Sequence, residues 1–66
     1  MFEAQIYGIP PSLPGDYEWV EAAIGRAKRE LKCKQHPATA RVIDKQTGNP
    51  VWSAYLTADG EIIETK

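Results

Sequence analysis

Cys33 and His36 are the two side chains best suited to chemistry, and they stand in a C-x-x-H arrangement. A structural zinc site needs about four nitrogen or sulfur ligands, and the chain holds no other cysteine or histidine. A Cys–His nucleophile pair needs an orienting third group and an oxyanion hole, whereas these two straddle an expected helix end in an exposed segment beside Arg29, Lys32, Lys34 and Arg41. The carboxylates form no better constellation. Asp44 and Asp59 fall where tight turns are expected, and Glu61 and Glu64 are three apart on an expected strand, so they face opposite ways. No glycine-rich phosphate loop occurs. The expectation is a protein that is not an enzyme, with no catalytic residues, no metal and no cofactor.

Charge suggests a second kind of chemistry. The net charge is −1, yet residues 26–45 hold seven of the eight basic side chains against only Glu30 and Asp44. Arg26, Lys28, Arg29, Lys32, Lys34 and Arg41 form a basic segment that could neutralise phosphates, so nucleic-acid binding is the alternative reading. A helix with acids early and bases late explains the same pattern through its own dipole. A nucleic-acid binder would also normally carry a global basic excess, which is absent.

The elements that must position these residues are few. At 66 residues one small core is possible, since a chain of this size buries only about 60% of its unfolded surface. No apolar run approaches the roughly 20 residues needed to cross a bilayer, so no membrane association is expected. A single cysteine cannot close an internal disulfide, which favours a reducing, cytoplasmic setting.

Residues 2–9 alternate, with Phe2, Ala4 and Ile6 on one face and Glu3, Gln5 and Tyr7 on the other, which predicts a half-buried strand. Pro10, Pro11 and Pro14 mark residues 10–15 as a stiff loop. The spacing of Tyr17, Val20, Ala23, Ile24, Ala27 and Leu31 predicts a helix over 16–34 with Asp16 as its N-cap. Trp19 lies on the flank of that stripe, free to meet a partner. Gly25 lies off the stripe, and close backbone contact is its only expected role.

Residues 39–65 read as a three-stranded meander with turns at 45–49 and 59–60. A bulged first turn pairs Val42 with Trp52 and Ala40 with Ala54. A two-residue type I′ turn at Asp59-Gly60 pairs Thr57 with Ile62 and Leu56 with Ile63. The inner face then collects Ala40, Val42, Trp52, Ala54, Leu56 and Ile63. The fold class is therefore α+β: one domain over 1–66, order β-α-β-β-β, with a mixed or antiparallel four-stranded sheet and one helix on one face.

One helix covers one face of such a sheet. The other should expose Arg41, Ile43, Val51, Tyr55, Ile62 and Glu64, an apolar patch with charges at its edges, as interaction surfaces often are. With Trp19, these are the expected partner-binding residues. The expected function is a non-catalytic protein-binding module (a small adaptor, regulator or inhibitor), its partner another protein or a second copy of the chain. A homodimeric structural domain is a further alternative. In size and element order alone the chain is similar to several short proteins of phage and mobile elements, including inhibitors of bacterial defence systems.

Overall fold

A computed structural model describes residues 1–65. Along the chain come β1 (Phe2–Ile9), β2 (Gly15–Tyr17), α1 (Val20–Lys32), β3 (Gln35–Asp44), β4 (Asn49–Leu56) and β5 (Ile62–Thr65). The strands form one open sheet in the order β2-β1-β3-β4-β5, and every neighbouring pair is antiparallel. The architecture is α+β, with one helix laid across β1 and β3 on one face.

The fifth strand is the first departure from expectation. Asp16 is not a helix cap: Gly15, Asp16 and Tyr17 pair with Ala4, Glu3 and Phe2. The proline loop brings the chain back alongside β1, and a short ladder satisfies the backbone groups there. The helix starts later, at Val20, with Trp19 in the N-cap position and no side chain capping it. Asp16 pairs instead with Lys45, 3.1 Å away. Tyr17, expected on the helix stripe, packs against the core from β2.

The core lies between helix and sheet and is built largely from alanine. Ala23 and Ala27 on α1 face Ala4, Ala38, Ala40 and Ala54 on the strands, with Leu31, Val42, Trp52, Leu56 and Ile6 filling the remaining space. Small residues on both layers let the helix approach closely, and Trp52 supplies much of the volume.

The pairing of β3 with β4 matches the expected register, Val42 opposite Trp52 and Ala40 opposite Ala54. The irregularity falls between Val42 and Ile43, so Val51 is the extra residue, in β4 rather than in the turn. Asp44 does cap that turn: its Oδ1 accepts from the Gln46 amide at 2.9 Å.

The second turn corrects the reading of β5. Gly60 N–H donates to Thr57 O at 3.0 Å and Thr57 N–H to Glu61 O at 2.8 Å, and Gly60 has φ +87°. The loop thus holds Ala58, Asp59 and Gly60, a type I turn closed by a left-handed glycine. Leu56 now pairs with Ile62 and Tyr55 with Ile63. One residue of slip moves every β5 side chain to the other face. Ile62 and Glu64 belong to the helix side of the sheet, and Ile63 joins the open side.

Candidate functional site

The open face is set by the register of three strands. Tyr7 of β1 and Tyr55 of β4 both lie opposite Thr39 of β3. Adjacent strands are about 4.8 Å apart, so the two tyrosine backbones stand about 10 Å apart across Thr39. Both rings remain well exposed, Tyr7 at 51% and Tyr55 at 46%. One step along the strands, Arg41 is flanked by Gln5 and Ser53. Ser53 lies opposite Thr65, and their hydroxyls are 2.6 Å apart.

Gln5 organises the centre of this surface. Its Oε1 accepts from Arg41 Nε at 2.8 Å and from the Tyr7 hydroxyl at 2.9 Å, while its Nε2 donates to Glu3 Oε1. The Arg41 guanidinium lies 5.8 Å from the centroid of the Tyr7 ring, within cation–π range. Tyr7, Thr39, Arg41, Ser53, Tyr55 and Thr65 line a shallow groove of about 310 Å³. Ile63 and Val51 are exposed, and Ile43 is half-buried opposite Glu3.

Of the residues expected to meet a partner, Arg41, Ile43, Val51 and Tyr55 are accessible here. Ile62 packs against the core. Glu64, turned to the helix side, accepts the Trp52 indole N–H at 2.9 Å and lies 3.2 Å from Lys28 Nζ. Trp19 is 69% exposed but stands at the N-cap of the helix, in the other layer. Tyr7, Gln5 and Ile63 also belong to this surface, beyond the expected partner-binding set. Alternation in β1 already turned Tyr7 and Gln5 away from the core, but only the β1–β3 pairing sets them beside Thr39 and Arg41.

The basic segment does not form one surface. Lys34 is buried, 9% exposed, and its ammonium donates to Pro10 O and Ser12 Oγ. Arg26 donates to Leu13 O at 2.7 Å and lies 3.6 Å from Glu30, which in turn accepts from Ser12 at 3.2 Å. These four side chains clasp the proline loop to the helix. Lys28 meets Glu64, Arg41 is on the opposite face of the sheet, and Arg29 and Lys32 are left exposed on the helix.

Cys33 is exposed at the helix C-cap. His36 Nδ1 lies 3.0 Å from Leu56 O, and a carbonyl only accepts, so Nδ1 carries a proton. Among the described residues no group of three His, Cys, Asp or Glu is placed to hold a metal ion, and no helix is long and apolar enough to cross a membrane. A second hollow, about 320 Å³, lies between Gln5–Gly8 and Pro11, Ser12 and Pro14, with no charged side chain in its lining.

No protein-family model, no curated protein and no solved structure matches this chain.

Proposed function

We propose that this chain is a non-catalytic protein-binding module, a small cytoplasmic adaptor, regulator or inhibitor, which engages its partner through the open sheet face. The observation that carries this reading is the row Tyr7–Thr39–Tyr55, with Arg41 held against Tyr7. Tyrosine and arginine are the residue types that dominate binding energy at protein interfaces. Seating them on paired strands, with Arg41 and Tyr7 already bonded to Gln5, lowers the entropy lost on association. The groove holds phenols, hydroxyls and a guanidinium, a set that favours recognition over bond-breaking. Nucleic-acid binding through residues 26–41 is less well supported, because Lys34 and Arg26 serve the loop and Arg41 lies on the other face.

The deciding experiment is capture of partners from a lysate of the source cells by wild type, Tyr7→Ala and Tyr55→Ala, alongside sedimentation velocity over a concentration series. A heterologous partner retained by wild type and lost by both variants is the expected result. Self-association abolished by the same variants would make the face a dimer interface. Equal capture by all three proteins would remove the open face as the binding surface. Retention on heparin at about 0.15 M salt, near physiological screening, would favour the nucleic-acid reading instead.

A further inference from the structure

The polarity of the groove narrows the partner's chemistry. Arg41 spends its Nε on Gln5, and its two Nη groups carry no hydrogen bond among the described residues. Gln5 Oε1, the acceptor nearest to it, already takes two donors. The hydroxyls of Tyr55 and Thr39, which can donate or accept, have no hydrogen-bond partner among the described residues. The capacity that can only donate is therefore the two Nη groups, carried on a cation whose Nε is already fixed by Gln5. The acids of this face stand off from Arg41 at its margins: Glu3 is bonded to Gln5, Asp16 on β2 is paired with Lys45, and Glu61 lies opposite Thr57 at the second turn. The attraction for an anion is therefore local to the Arg41 guanidinium.

From this geometry we infer that the partner docks an acidic peptide segment in the groove, placing an Asp or Glu carboxylate on the Nη groups of Arg41 with an apolar or aromatic neighbour against Tyr55 and Ile63. The inference rests on the protein-binding reading and specifies it. A guanidinium presents its Nη donors in a planar fork that matches a carboxylate in two parallel hydrogen bonds, and the Nε bond to Gln5 fixes the plane of that fork before the partner arrives. The exposed ring of Tyr55 and the side chain of Ile63, opposite each other across β4 and β5, offer the adjoining apolar ledge. A single strand of nucleic acid also has anions and flat rings, but it draws its affinity from many cations, and among the described residues Arg41 is the one cation lining the groove.

The test is a selection of short random peptides displayed on phage, run in parallel against wild type, Arg41→Glu and Arg41→Gln. The expected result is enrichment of Asp or Glu beside an apolar or aromatic residue on wild type. Synthetic versions of those peptides should bind Arg41→Gln at least about tenfold more weakly, and Arg41→Glu should not enrich them. Amide shifts at Thr39, Arg41, Ser53 and Tyr55 on titration would locate them in the groove. Peptides that bind this face with no acidic preference, or that ignore Arg41→Gln, overturn the inference and leave the protein-binding reading standing. Failure to enrich any peptide that shifts these amides overturns both. Binding of a thymidine oligonucleotide to the same amides, read by fluorescence polarisation, replaces the acidic peptide with a nucleic acid. Circular dichroism of both variants confirms that they are folded, and Arg41→Gln keeps the comparison valid if the charge reversal is not tolerated.

Discussion

The indole of Trp52 donates to Glu64 Oε1 at 2.9 Å, while Glu64 Oε2 lies 3.2 Å from the Lys28 ammonium. An acidic side chain on the core side of the last strand thus ties β5 both to β4 and to the helix. It also answers the one polar atom of an otherwise apolar core residue, 3% exposed, which unpaired would cost about 1–3 kcal/mol.

Trp52→Ala therefore removes both a large core volume and that tie, and it should lower stability by about 3–5 kcal/mol, unfolding most of the protein. Trp19→Ala, at an exposed position, should cost nearer to 0.5 kcal/mol or less. Thermal melts of the two variants by tryptophan-independent far-ultraviolet dichroism provide the comparison; similar midpoints would contradict the assignment of Trp52 to the core.

The slip at the second turn makes a sharper prediction about adjacent isoleucines. Ile62→Glu puts a charge on the helix side against the core and should cost about 1–3 kcal/mol. Ile63→Glu places it on the open face and should stay within about 0.5 kcal/mol of wild type. Urea midpoints of the pair report the register directly, and the reverse order would restore the two-residue turn.

Two glycines should respond to alanine in opposite ways. Gly60 closes its turn at φ +87°, where a side chain costs roughly 1–2 kcal/mol, so Gly60→Ala should destabilise. Gly25 sits in the helix, and an added Cβ would meet nothing within 4 Å, so no close contact accounts for this glycine. Gly25→Ala should raise stability by about 0.5–1 kcal/mol. Chemical denaturation of both variants measures the two signs; a destabilised Gly25→Ala would mean that something seats against that turn of the helix.

Lys34 holds the proline loop rather than facing solvent. Lys34→Met preserves its apolar stem and deletes the bonds to Pro10 O and Ser12 Oγ, so the sheet should persist while the loop loosens. Faster amide exchange and broader lines at Ser12 and Leu13, with protection of β3 and β4 unchanged, are the expected result. Unaltered loop dynamics would show that the Arg26–Leu13 contact alone suffices.

Much of the fold is legible in the residues. The alternation of Phe2 to Tyr7 and the stripe from Val20 to Leu31 follow from burial, and the pairing of Val42 with Trp52 follows from keeping the apolar set together. The last strand is different, because Ile62 and Ile63 are identical and the pattern scores both registers alike. An Asp-Gly pair also serves either a two-residue turn or the end of a three-residue one. Only Glu64 could have argued one way, and it argues for the wrong face unless its pairing with Trp52 and Lys28 is known. β2 escapes notice for another reason: three residues are too few to show a period. Tyr7 is readable as an outward side chain, but its distance from Tyr55 depends on which strand β1 pairs with, a contact between residues far apart in sequence.

The place of β1 inside the sheet, between β2 and β3, bears on how the chain is made. This strand precedes all the others out of the ribosome, yet one long side of it is filled by β3, whose partner positions run to Asp44. Until that stretch has emerged, Phe2 and Ala4 have only the short β2 ladder beside them, and Ile6 lies beyond its end. Closure must bring together segments at opposite ends of a helix and a loop, and such distant pairings place folding toward the slower, millisecond-to-second end for small domains. The nascent chain thus carries an apolar strand with an unfilled edge until β3 has emerged, and the proline loop that follows it, unable to offer a regular ladder of amides, limits what can pair there in the interval.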